Sequence, residues 1–218
     1  MFSGVLHIVG LSFKLEWRRR QSFLAILLYL VTSVYLAYLV FNGLVTVETW
    51  NALYWLILIF ASIQAAFRSF QNEADRRFLI YYQMLAPQAL ILGKALYNFI
   101  YLFVVGLLGM LVFSFLLGDI INDKWAFLVI LLLASAGFSA ILTFVSGISA
   151  KAGDNPALPA ILSIPLLYPQ VLTLSRSSVR AITGFSWSVN APYLLVLALL
   201  AVVSLLLSYL LFSYLWRD

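Results

Sequence analysis

The chain has 218 residues, 64% of them hydrophobic and 10% charged, with a formal net charge of +5 and a mean hydropathy of +1.04. Soluble domains are about 45–50% apolar and about 25% charged, so this balance excludes a water-soluble fold and leaves a polytopic membrane protein. The absence of cysteine excludes disulfides, thiolate metal sites and cysteine nucleophiles, and the basic residues form no stripe long enough to follow a nucleic-acid backbone.

Residues 1–21 read as a helix lying in the membrane interface. Phe2, Val5, Leu6, Val9, Phe13 and Trp17 recur at helical spacing, Lys14, Glu16 and Arg18 occupy much of the remaining surface, and Ile8, Leu11 and Leu15 fall off the stripe. Arg18-Arg19-Arg20 then precede the first long apolar run, as in a signal anchor. That run is too long for a cleaved leader, and no small-residue cleavage site follows it.

A bilayer core of about 30 Å takes roughly 20 mainly apolar helical residues to cross. Six stretches meet this, at about 22–41, 50–67, 89–117, 125–148, 156–174 and 193–215, and together they make residues 1–218 one transmembrane domain. The fifth is the least regular, because Pro159, Pro165 and Pro169 fall within it. Ten of the 13 basic residues lie on one side of this arrangement: Lys14, Arg18, Arg19, Arg20, Arg68, Arg76, Arg77, Lys94, Lys151 and Arg217. Lys124, Arg176 and Arg180 lie on the other, so the excess predicts that both termini are cytoplasmic. Trp50, Trp55, Trp125, Trp187 and Trp216 lie near span ends, where interfacial anchors are expected.

Between the second and third spans, residues 68–87 form a mixed-charge amphipathic segment. Phe70, Ala74, Phe78, Tyr81, Tyr82 and Leu85 trace one helical face, while Glu73, Asp75, Arg76 and Arg77 cluster on the other. Pro87 ends the segment. Such a helix either docks a protein or rests on lipid, and its pattern supports both equally.

The spans hold essentially no ionisable side chain, with Lys94 near one end, which speaks against an ion-coupled carrier or a channel. Gln64, Asn98 and the hydroxyl residues remain for bonds between helices. Ser135, Ser139, Thr143 and Gly147 form a small-residue stripe suited to close helix packing. The one histidine, His7, lies outside the first span, no carboxylate pair is placed for acid–base work, and there is no phosphate-binding loop. The chain reads as non-catalytic, and any nucleotide-driven work needs a separate subunit.

Several strings occur together in one order. One begins Trp50-Asn51-Ala52-Leu53, passes Phe60-Ala61-Ser62 and ends in Leu85-Ala86-Pro87-Gln88 and Gly93-Lys94. Another joins Gly137-Phe138-Ser139-Ala140 to Ser146-Gly147-Ile148-Ser149-Ala150-Lys151-Ala152-Gly153-Asp154-Asn155, and Leu158-Pro159-Ala160-Ile161-Leu162-Ser163-Ile164-Pro165 follows. Tyr209-Leu210-Leu211-Phe212-Ser213-Tyr214-Leu215-Trp216-Arg217-Asp218 closes the chain. In these strings and in whole-chain layout the sequence resembles the B subunit of the cytochrome c maturation system, the membrane subunit of a haem exporter, within the wider ABC-2 permeases.

The resemblance implies an all-α membrane protein of six transmembrane helices, with an N-terminal elbow helix and a cytoplasmic coupling helix. Residues 2–20 and 68–87 occupy those two places. Contact with an ATPase subunit then falls to Phe70, Glu73, Asp75, Arg76, Arg77, Phe78, Tyr81 and Tyr82. Many relatives carry a glycine just after the acidic residues, where this chain has Arg76-Arg77. The implied setting is the bacterial inner membrane, and the implied partners are an ABC ATPase, a second copy of the chain, a haem-handling membrane subunit, a small accessory subunit and a periplasmic haem chaperone. ATP sits on the partner subunit. Haem iron prefers His, Cys, Met or Tyr ligands, and His7, Met84 and Met110 offer no axial pair, so haem is expected to be handled by the complex and bound by no residue here. Arg176 and Arg180 are the weak candidates for contact with haem propionates or an acidic chaperone face, set against a plain role at lipid headgroups. Three other readings are an ABC-2 permease for a lipid-linked glycan or a drug, a secondary carrier or channel, and a structural scaffold.

Overall fold

The computed structural model describes residues 2–18, 21–71, 87–151 and 158–215. Among the described residues there are seven helices and no strands: α1 Phe2–Arg18, α2 Gln21–Phe41, α3 Val47–Gln71, α4 Pro87–Leu117, α5 Lys124–Lys151, α6 Leu158–Thr183 and α7 Trp187–Leu215. Five contain stretches long and apolar enough to cross a membrane: Phe23–Phe41, Val47–Ala66, Gln88–Leu117, Lys124–Ser149 and Trp187–Leu211. These match five of the six expected spans. The remaining one, expected at 156–174, is helical as α6 but does not reach the same apolarity. Pro165, Pro169, Gln170, Ser175, Arg176, Ser177, Ser178 and Arg180 all belong to it.

That helix also runs further than expected. The stretch around residues 176–190, read as a connection, is helical through Thr183, and α7 resumes at Trp187. Leu174, Ser177, Ser178, Ala181 and Ile182 are all buried, and their spacing keeps one face of the helix against the bundle. Gly184, at φ +78°, then ends α6 with the Phe185 N–H donating to the Arg180 carbonyl at 3.0 Å. This six-to-one closure needs a left-handed residue, which glycine supplies without strain.

The centre of the bundle is α5. It packs against α3, α4, α6 and α7, and 67% of its apolar stretch is buried, against 22% for α2 and 17% for α7. The Ser135, Ser139 and Thr143 stripe lies on this buried helix, as expected of small residues at close helix contacts. Gln170 of α6 lies over Gly137 of α5, where a Cβ would fall on the glutamine amide. The Gln170 Nε2 donates to the Ala134 carbonyl at 3.3 Å.

α1 packs on the first turns of α4. The contact is made by Ile8, 4% exposed, against Gly93, where a Cβ would lie 2.8 Å from the Ile8 Cβ. Phe13 meets Tyr97 edge-on at 5.1 Å. The apolar stripe read from spacing is therefore only partly the packed face. Ile8, which fell off it, is the buried residue, and Leu6, which lay on it, is 64% exposed. An apolar helix beside a bundle has two apolar surroundings to satisfy, and spacing alone does not say which face takes which.

Candidate functional site

At one end of α3 lies the segment expected to meet an ATPase. Phe70 belongs to the last turn of α3, and Glu73, Asp75, Arg76, Arg77, Phe78, Tyr81 and Tyr82 lie outside the described residues. On the far side of that segment α4 begins at Pro87, and α1 braces its first turns. Lys94, taken from sequence as a charge near a span end, is fully buried about two turns into α4 and is partnered there.

The opposite end gathers the start of α3, the end of α4, the start of α5, the end of α6 and the start of α7. Trp50, Tyr54 and Trp55 of α3 form an aromatic cluster with Phe113 of α4 and Phe127 of α5. Trp50 stacks on Tyr54 at 5.3 Å and meets Phe113 edge-on at 5.1 Å, and Tyr54 meets Phe127 at 5.4 Å. The Tyr54 hydroxyl donates to the Gly106 carbonyl at 2.9 Å, so its polar end is satisfied inside the bundle. Trp50 and Trp55 are 0% and 3% exposed, so they are core residues and not the interfacial anchors expected. Trp125 and Trp187, exposed, fit the anchoring role.

Beneath the same end lies a polar joint between α3 and α6. The Asn51 Nδ2 lies 3.3 Å from both the carbonyl and the hydroxyl of Ser175. Its Oδ1 accepts from the Trp55 indole N–H at 3.0 Å and from the Ser178 hydroxyl at 2.5 Å. The Trp55 N–H also lies 2.9 Å from the Ser178 oxygen. Asn51 and Ser178 are 2% and 0% exposed. Further bonds close the surrounding turns. Asn122 donates through its side chain to the Ile182 carbonyl at 2.7 Å, the Asp123 backbone N–H donates to Ala181 at 3.0 Å, and the Asn190 side chain donates to Ser177 at 3.2 Å. The Asp123 carboxylate accepts from the Ala126 N–H and caps α5.

The two arginines expected here have different fates. Arg180 turns back into the molecule. Its guanidinium donates to the Val189 carbonyl at 3.2 Å and to the Tyr193 hydroxyl at 3.0 Å, and lies 3.9 Å over the centre of the Tyr193 ring. It ties α6 to α7. Arg176 is exposed, one residue beyond the Ser175 held by Asn51. Lys124 and Asp119, both exposed, form an ion pair at 2.5 Å in which Arg176 takes no part.

Comparison with known proteins decides the family. A family model described as CcmB protein matches residues 4–214. The chain belongs to the CcmB family. No curated protein and no solved structure matches it. As a CcmB chain it is an integral membrane component of the haem-exporting ABC system of c-type cytochrome biogenesis, which works with an ATPase partner.

Sequence reasoning had the Trp50-Asn51 string in view as a mark of family without giving Asn51 a role. The available signal was an amide inside an apolar span, one turn before a tryptophan. Its partners on α6 lie more than 120 residues away and depend on that helix continuing past residue 174.

Proposed function

We propose that this CcmB-family chain is the permease half of the transporter, carrying the stroke of a separate ATPase to a haem-handling partner on the opposite membrane face. The family match over residues 4–214 is the observation that carries this reading. In it, residues 68–87 are the helix on which the ATPase acts, α1 is the elbow helix, and the chain works as a dimer alongside a haem-handling subunit, a small accessory subunit and a periplasmic haem chaperone. Haem is cargo of the complex and ATP is bound by the ATPase. The single histidine and the absence of cysteine support placing haem ligation on a partner.

Six crossings and cytoplasmic termini belong to the same proposal. At 26 residues α6 is about 39 Å long, enough to cross the bilayer core of about 30 Å. It packs on α3, α5 and α7. Gln170 bonds to α5 and Ser178 to α3, both fully buried, which supports a crossing held inside the bundle despite modest apolarity. With six crossings, ten of 13 basic residues fall on the side of the termini.

The test is a haem stain of membrane proteins from a strain lacking the gene, with the gene restored as control. Covalently haem-bearing cytochromes should vanish in the deletion and return on complementation. Unaffected cytochromes would sink the reading and leave a permease for another substrate, such as a lipid-linked glycan or a drug. In the restored strain, Phe78→Asp with Tyr82→Asp should abolish maturation while the chain still inserts at its normal level. Unchanged maturation would remove residues 68–87 from the coupling role.

A further inference from the structure

We infer that Asn51 is the positioning residue that makes α3 and the outer end of α6 move as one body, so that displacement entering α3 beside residues 72–86 emerges at the Arg176 surface. The inference rests on the proposed ATP-driven function and names the joint through which that function passes.

The geometry is that of a rod with a bonded head. α3 is one unbroken helix of 25 residues, about 37 Å long. Its Gln71 end runs directly into the segment proposed to meet the ATPase. Its other end is fixed to the following turn of chain by Thr46, whose hydroxyl accepts from the Thr49 N–H at 3.3 Å. One turn inside, Asn51 holds the Ser175 carbonyl and hydroxyl and receives the Ser178 hydroxyl. Ser175 immediately precedes Arg176, so the bond holds the backbone from which the exposed arginine projects.

The kind of contact matters. Aromatic and aliphatic contacts are not directional and do not by themselves fix the register of α3 on its neighbours, and toward α4 the Tyr54 hydroxyl on the Gly106 carbonyl adds one directional bond. Hydrogen bonds in an apolar bundle fix register, because breaking these would leave the buried Asn51 amide unsatisfied. Among the described residues, the side-chain hydrogen bonds from α3 to α6 all involve Asn51 or its neighbour Trp55. The joint therefore ties the outer end of α6 to α3, so that α6 follows when α3 is displaced, within the limits set by the bonds of Asn122 and Asp123 to the Ile182 and Ala181 carbonyls. Arg180, bonded to α7, limits how far the end of α6 can travel.

Because the chain has no cysteine, single reporter cysteines test this in the assembled complex in native membranes. Arg176→Cys reports the outer surface and Ser69→Cys reports the opposite end of α3. Labelling by a membrane-impermeant maleimide, applied to inside-out and right-side-out vesicles as each site requires, is followed with and without a non-hydrolysable ATP analogue. With Asn51 present, nucleotide should change the labelling rate at both positions, by on the order of fivefold at Arg176→Cys. With Asn51→Leu the change at position 176 should disappear while that at position 69 persists. Asn51→Asp keeps the acceptor for Trp55 and Ser178 but not the donor to Ser175, and should give an intermediate response. Ser178→Ala serves as the milder break if Asn51→Leu fails to accumulate. A nucleotide response at 176 that survives these substitutions, or a response at 69 with none at 176 in the Asn51 background, overturns the inference and leaves the proposed function standing. No response at either position in the Asn51 background overturns both.

Discussion

Trp50 shows how a residue's position in a span and its depth in the molecule come apart. Five tryptophans fall near span ends, and the interface is the ordinary place for them. Two of them, Trp50 and Trp55, are buried because Phe113 and Phe127 arrive from α4 and α5 at the same level. Nothing local to α3 announces those partners, so this part of the core was not legible in the sequence. Trp50→Ala should cost about 3–5 kcal/mol of stability, whereas Trp125→Ala, at a site 76% exposed, should change it by less than about 0.5 kcal/mol. Resistance of the purified complex to thermal unfolding in detergent measures both. Gly137 makes a second case. A Cβ there would fall on the Gln170 amide, so Gly137→Ala should destabilise by about 1–3 kcal/mol through overpacking. Adding Gln170→Ala should restore part of the loss, and the same unfolding assay should show the pair as non-additive. Additive losses would mean that the glutamine is not what the added methyl meets.

At the scale of elements, α2, α3, α4, α5 and α7 were legible because each is a long apolar run, and length and apolarity are properties of the run itself. α6 was legible only in part. Its polar residues interrupt the hydropathy signal, and the stretch holding Ser175, Arg176, Ser177 and Ser178 read as a connection. In the fold those serines are satisfied by Asn51, Trp55, Asn190 and the helix's own carbonyls, so the helix continues where composition suggested a loop. The candidate site followed the same division. Charge placement pointed to the two ends of the bundle as the places to look, but the Asn51 joint required knowing which helix ends meet. The turn that follows tests the boundary. Gly184→Ala forces a side chain into φ +78° and should cost about 1–2 kcal/mol, seen as a lower unfolding temperature with the chain still inserted. A neutral outcome would mean that α6 does not end in this left-handed closure.

For the molecule as a whole, the question is which of its surfaces meet a partner, and the two outer arginines separate structural from contact roles. Arg180 makes two hydrogen bonds and covers the Tyr193 ring. Hydrogen bonds from a charged group contribute about 1.5–3 kcal/mol each when their loss leaves a partner unsatisfied. Arg180→Glu removes these and places a carboxylate against a carbonyl and a phenol oxygen, so the chain should fall in abundance, and cytochrome maturation should fall in proportion. Arg176 is exposed and outside the described ion pair, so Arg176→Glu should change stability by less than about 0.5 kcal/mol. If its surface meets an acidic partner or haem propionates, reversing the charge should lower maturation at unchanged abundance, and Arg176→Lys should retain most of it. Immunodetection of the chain and haem staining of the cytochromes in the same membranes read both quantities. Normal maturation with Arg176→Glu would assign that arginine to the lipid headgroups. The contact surface would then lie elsewhere at this end, with the exposed turn at Gly184–Phe185 and the Asp119–Lys124 pair as the remaining projections.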